Sequence, residues 1–448
     1  MFKKYFFVSL LFFSILLLFY VIYKSEFVWS GKKNDYYFIY YIFSLSLILL
    51  SLITFILNDR VKEYVLIFLI SIFIFSYSFE IYLSFDTSIN FGHIKDNNKK
   101  SDTYKKLTGK KFDTRTRLKI YNDLKNKNND QTITVTVHPS SYLSRAKLNI
   151  FPLSSSSYTK TILCNENGYY NIYESDRYGF NNPDTEWDKD QTEYVLIGDS
   201  FVHGSCVNRP NDIASIIRSI SQKSVLNLGY EGSGPLIEYA TLIEYLKPNV
   251  KNIIWFYTEL NDVEDFKNEL NNKILKNYFQ SQNFTQDLKN KQDAINELSR
   301  SVVSDYFKDR KFNLKKFIKL NNFRLFLYKY IISGKFNPNY KALNVQEPVS
   351  SLEFKKLIKK IDSLAKQNNS NLYFVYIPSF YRYEDDFIKN NYEFIRSWDK
   401  NYNYIKFILN NLNIPIIDIH EEVLKKEKNP LELYPFGMFG HFNEKGYN

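Results

Sequence analysis

Cysteine is almost absent: Cys164 and Cys206 are the two in 448 residues. With no Cys-x-x-Cys pair and no histidines at metal-ligand spacing, neither a structural zinc site nor any other metal is expected. The two sulfurs are open to one disulfide in an oxidising compartment, which would tie the segment before the first core strand to the loop after Ser200, or to two free thiols. Nucleic-acid motifs are missing too. The net charge of +11 comes from lysines spread along the whole chain among Asn, Ile, Phe and Tyr. That is a solvated surface rather than a stripe for an anionic polymer, so no nucleic-acid partner is expected. No repeat of the solenoid kind occurs. What is abundant is apolar: 44% hydrophobic and 18% aromatic residues exclude a disordered chain and suffice for a sizeable core.

Much of that apolar content lies at the start. Tyr5 to Tyr23, Tyr36 to Leu57 and Tyr64 to Phe79 read as three membrane-spanning helices, with Glu80 where an interfacial carboxylate reaches water. Lys3 and Lys4 resemble a secretory leader, but no small-residue cleavage pattern follows, which favours a retained anchor. Lys3, Lys4, Arg60 and Lys62 on one side, against Lys24, Lys32, Lys33 and Lys95 on the other, give a slight preference for an inside N-terminus. The chain is thus expected to be an integral membrane protein, with everything after Phe85 on the extracytoplasmic side.

Beyond residues 1–85, residues 86–130 read as a polar membrane-proximal linker with one helix around Arg117 to Leu124 that buries little. Residues 131–190 read as a small β-rich preamble. From 191 to 448 strand, turn and helix alternate, the pattern of an α/β fold: a doubly wound, flavodoxin-like parallel sheet of about five strands. The strands are Tyr194 to Ile197, Ser224 to Leu228, Ile253 to Tyr257, Leu372 to Ile377 and Ile414 to Ile419. Residues 266–348, rich in Lys and Asn, read as a helical insertion.

In such a sheet ligands sit beyond the carboxyl ends of the strands. Gly198-Asp199-Ser200-Phe201-Val202-His203-Gly204 follows the first strand, and resembles the first block of the SGNH (GDSL-like) serine hydrolases. Asn227-Leu228-Gly229-Tyr230-Glu231-Gly232-Ser233-Gly234, Asn261-Asp262 and Gly440-His441-Phe442-Asn443 follow later strands in the order of that family's remaining blocks. Ser175-Asp176-Arg177-Tyr178-Gly179-Phe180-Asn181-Asn182 is similar to the lead-in of its membrane-anchored members. The resemblance runs from about Glu193 onward and leaves out the membrane spans.

The resemblance implies Ser200 as nucleophile, His441 as its base, and the Ser200 and Gly232 amides with the Asn261 side chain as oxyanion donors, without any cofactor. Two departures stand out. Glu259 replaces the glycine expected two residues before Asn261, and Met438 stands where the family has the aspartate that orients the histidine. A Ser-His dyad is therefore expected, with Asp199, Asp418 and Glu432 as possible supporting acids. Histidine is scarce, five in all. His93 and His138 precede the sheet, His420 lacks the local pattern, and His203, on the opening helix turn three residues past Ser200, points away from the hydroxyl. The implied activity is cleavage of acyl, including O-acetyl, esters on a cell-surface glycan or another ester substrate, by an acyl-enzyme. The alternatives are O-acyl transfer to a polysaccharide with a partner protein, and a catalytically silent glycan-binding or assembly protein. The sequence stops two residues after Gly446, where the family has a further helix, which leaves a fragment open.

Overall fold

The computed structural model describes residues 2–31, 34–85, 91–128, 132–143, 145, 148–281, 283–308, 314–327 and 351–448. Two units emerge: one formed by residues 1–87 with 313–329, the other by 88–312 with 330–448.

The first unit contains α1 (Phe2–Ile22), α2 (Asn34–Thr54) and α3 (Asp59–Phe85). Each is apolar around its whole circumference and lacks interior glycine or proline, so helix is the one conformation that satisfies its backbone away from water. Tyr5–Val28, which runs on past the end of α1, Tyr37–Thr54 and Asp59–Leu83, of 24, 18 and 25 residues, are long and apolar enough to cross a membrane. The third starts earlier than its apolar run suggests, because the Asn58 side chain accepts the Val61 N–H at 2.9 Å and caps the helix upstream of Tyr64. Residues 314–327 also belong to this unit, as the short helices Leu314–Ile318 and Asn321–Phe326. The 266–348 insertion is thus divided between the two units.

The second unit begins with α4 (Phe91–Thr108) and α5 (Arg117–Asn128). The stretch read as a linker therefore holds two helices, and it is anchored: Phe112 and Ile120 are buried, Ile120 in the main core. The preamble supplies β1 (Ile133–Val135), parallel to β2 (Lys160–Ile162), which is antiparallel to β3 (Ile172–Glu174). The main sheet consists of β4 (Tyr194–Ile197), β5 (Val225–Asn227), β6 (Asn252–Thr258), β7 (Asn371–Ile377) and β8 (Ile416–Asp418). All neighbours are parallel and the order is β5-β4-β6-β7-β8, the flavodoxin-like doubly wound arrangement. The order reverses between β4 and β6, where Ile197 pairs with Trp255, so the ligand crevice is expected past these two strands.

Connecting helices include α6 (Ser200–His203), α7 (Ile213–Ser221), α8 (Pro235–Tyr245) and α9 (Asp262–Glu269). Pro235 opens α8 at the position where its missing N–H costs nothing. The preamble is not a separate layer. Ile133, Val135, Tyr142 and Phe151 share one apolar cluster with Val195, Ile197 and Trp255. Its last turn is welded to the sheet by buried Asp176, which accepts from the Tyr178 and Phe180 amides, Asn182 Nδ2 and Trp187 Nε1 at 2.7–2.9 Å. Asn182 in turn bridges to the Asn227 backbone of β5.

Candidate active site

Gly198 ends β4 in space that only glycine fits: a Cβ there would lie 2.6 Å from Val202 Cγ2 and 3.0 Å from Phe256 Cβ. The Asp199 carboxylate caps α6 by accepting the Phe201 N–H at 3.0 Å, which leaves Ser200 at the first helical position. The Ser200 N–H, at a helix start, has no acceptor among the described residues.

His441 arrives from the loop after β8. Its Nε2 lies 2.8 Å from Ser200 Oγ. The ring packs against Phe201, 5.1 Å between centroids, and Phe201 also packs against Phe442. On the far side stands Glu166, a residue that the sequence did not single out. Its carboxylate accepts the His441 backbone N–H at 2.7 Å and lies 3.2 Å from Nδ1 through both oxygens. A carboxylate only accepts, so Nδ1 carries a proton, and in the neutral ring Nε2 is left as an acceptor for the serine hydroxyl. Gly440 permits the approach: a Cβ there would sit 2.6 Å from Glu166 Oε2.

The electrostatics of the pair are mutual. Burial favours neutral Glu166, but the His441 charge and hydrogen bonds outweigh it and hold the carboxyl below the usual value. Burial likewise depresses His441, but Glu166, followed by Glu231 and Asp199, raises it to about 9. Glu166 lies two residues after Cys164, whose sulfur is joined to Cys206, so the disulfide pins this loop to the segment after α6.

The expected oxyanion donors lie on loops tied to the same turn. The Tyr230 N–H donates to Gly198 O at 3.1 Å, and the Glu231 N–H to His203 Nδ1 at 3.0 Å. Gly232, next in this loop, takes φ +76°, and a Cβ on it would approach His138 and Ser140 to 2.9 Å. Its N–H has no acceptor among the described residues. Asn261, after β6, donates from Nδ2 to Asp265 at 2.9 Å and more weakly to Asp199 Oδ2 at 3.4 Å.

The remaining expectations need correction. Asp418 is held by the Tyr402 hydroxyl, Lys406 at 3.5 Å and the Glu421 amide at 3.2 Å. Glu432 pairs at the surface with Lys445 and Asn429, each at 3.1 Å. Neither touches His441; the carboxylate beside its ring comes from the preamble. Asp199 hydrogen-bonds the Phe201 amide and Asn261 and reaches the ring only through its charge. His203 is buried and stacked on Tyr230 at 4.4 Å, with Nδ1 taken by the Glu231 amide. Glu259 is an internal clamp. It accepts from Ser379 N at 2.9 Å and Arg382 Nε at 2.6 Å, and binds Arg382 Nη2 and the Tyr376 hydroxyl.

Glu166, Cys206 and His441 each bring one potential ligand atom within 4.8 Å of the others. As a metal site the set is poor, because the Cys206 sulfur is spent in the disulfide and Glu166 and His441 bond each other. No known family model matches the chain, and no curated protein sequence does. Among solved structures, one similar chain is a protein of Desulfitobacterium hafniense DCB-2 assigned provisionally as lipolytic, of the G-D-S-L family. It is 16% identical with a TM-score of 0.27, over 57% of this chain and 93% of that one, a distance at which the likeness says nothing about activity.

Proposed function

We propose that the second unit is a membrane-tethered serine hydrolase that cleaves acyl esters by way of an acyl-enzyme. The observation that carries this reading is the relay Ser200 Oγ–His441 Nε2–Glu166, with hydrogen bonds of 2.8 and 3.2 Å that fix the imidazole tautomer. Neutral His441 takes the Ser200 proton as Oγ attacks the ester carbonyl carbon. Glu166 stabilises the imidazolium that forms. The oxyanion is met by the Ser200 and Gly232 amides and by the Asn261 hydrogen now spent on the 3.4 Å contact to Asp199, while Asp265 holds the other. Imidazolium then protonates the leaving alkoxide, and a water activated by the same nitrogen releases the acid and frees Ser200.

A ring nitrogen within hydrogen-bond reach of the hydroxyl argues against the silent-binder alternative. The Cys164–Cys206 disulfide supports an extracytoplasmic location. The test is labelling of the full chain by a fluorophosphonate probe, with turnover of aryl esters and acetylated glycans. Ser200→Ala should abolish both, and labelling that survives it would refute the assignment. Product analysis with a glycan acceptor present separates hydrolysis from transfer to a sugar hydroxyl.

A further inference from the structure

The described part of the insertion that joins the first unit consists of the two short helices at 314–327. They are bound to α3 and α2 by specific contacts. The Tyr77 hydroxyl donates to Ile318 O at 2.9 Å, and the Tyr77 ring meets Phe317 at 5.4 Å. Phe79 meets Phe323 at 5.8 Å and Phe326 at 5.1 Å. Glu80, wholly buried, accepts the Phe323 N–H at 2.7 Å, the Asn322 N–H at 3.2 Å and Asn322 Nδ2 at 3.1 Å. Arg324 donates from Nε to the Tyr40 hydroxyl at 2.8 Å, with its guanidinium 5.0 Å from that ring.

A carboxylate in an apolar helix is costly unless donors meet it, and here the helix pair supplies them. The pair leaves large apolar side chains outward: Leu314, Ile318 and Leu325 are each about 60% exposed. Lys315, Lys316 and Lys319 are interspersed with them. Tyr77 and Glu80 lie six and three residues before Leu83, the end of the span-length segment, or roughly 9 and 5 Å along the helix. That is the depth at which an amphipathic helix lies between acyl chains and headgroups, with lysines reaching outward.

We infer that residues 314–327 form a bilayer-interface anchor: Leu314, Ile318 and Leu325 enter the acyl boundary, and Lys315 and Lys319 face anionic phospholipid headgroups. The inference rests on the reading of α1–α3 as membrane spans and goes beyond it. The second unit would then be joined to the membrane through its insertion as well as through its N-terminal end. Anionic headgroups, where the facing leaflet carries them, would attract the lysines, and α3 has equally exposed apolar side chains such as Phe73 and Ile74.

The experiment uses the full chain in vesicles of brominated phosphatidylcholine, with and without phosphatidylglycerol, and a fluorescent amino acid placed singly at 73, 318, 325 or 359. Position 73 reports the span itself, and position 359, exposed on the helix Ser351–Gln367, serves as the reference in the second unit. Quenching at 73, 318 and 325 but not at 359 is expected. Quenching at 73 without quenching at 318 and 325 overturns the anchor and leaves the spans standing; no quenching at 73 overturns both. Glu80→Ala should at least halve the quenching at 325 and leave that at 73 unchanged; equal quenching at 325 would mean that Glu80 does not hold the pair. Phosphatidylglycerol should increase quenching at 318, and Lys315→Gln with Lys319→Gln should remove the increase. An increase that survives both substitutions overturns the headgroup assignment.

Discussion

Glu166 grips His441 at two points, its backbone N–H and its Nδ1, across 275 residues of chain. The backbone contact sets where the loop stands, and the ring contact sets which nitrogen is left for Ser200. Glu166→Gln keeps an acceptor but removes the charge that stabilises the imidazolium. The expected result is a fall in kcat of roughly 100-fold or more with little change in KM, measured on an aryl ester. Gly440→Ala should act similarly without altering any charge, because the new Cβ displaces Glu166 Oε2.

The same pair sets the pH profile. Only neutral His441 accepts the serine proton, so the rate rises as pH increases through its pKa. Glu166 raises that value from 6.5 to about 9, which places the rising limb of kcat/KM on the alkaline side. In Glu166→Gln the midpoint should move back toward 6.5 as the maximum falls. A midpoint unchanged by the substitution would show that Glu166 does not act on the ring.

The disulfide is expected to matter for both rate and stability. It closes a loop of 42 residues, worth about 4 kcal/mol in the chain-entropy description. Cys164→Ser with Cys206→Ser should lower the denaturation midpoint, and should lower kcat in the sense of Glu166→Gln, since the acid's loop is then released. Reductant applied to the native chain should reproduce the loss of rate.

Arg382 and Glu259 form a buried ion pair, with side chains 6% and 3% exposed. Arg382→Met strands the carboxylate, and a loss of about 3–5 kcal/mol is expected in chemical denaturation. Glu259→Gln added to Arg382→Met should restore part of that loss, because it removes the unpaired charge.

His203 predicts lability in acid. Burial lowers it to about 3, so between pH 6.5 and 3 the unfolded chain binds a proton that the folded chain refuses, and stability falls as pH falls. His203→Asn keeps an acceptor for the Glu231 amide, costs some stacking on Tyr230 at neutral pH, and should lessen the drop in melting temperature between pH 7 and pH 5.

The parallel sheet was legible because each strand is a short apolar run followed by turn residues, and Ser200, Gly232, Asn261 and His441 each follow a strand end. Glu166 carried no such mark. It lies in an irregular loop, Asn165-Glu166-Asn167, where neither periodicity nor motif separates a working acid from a surface one. The one indirect signal was its neighbour Cys164: a bridge to Cys206 brings whatever surrounds it beside α6. The place of 314–327 was hidden for a different reason. Alternating Phe, Leu and Lys marks a helix but not what it packs on, and only the three-dimensional contacts with Glu80 and Tyr77 put the pair beside α3.

The separation of Glu166 from His441 has a consequence for biosynthesis. Glu166 leaves the ribosome early and waits, with Ser200 already made, until the loop that bears His441 has been translated and closes over it. A chain cut off between β8 and residue 441 would carry all five strands of the main sheet and a Ser200 without its imidazole partner, so reactivity toward an active-site probe would report that synthesis has passed residue 441.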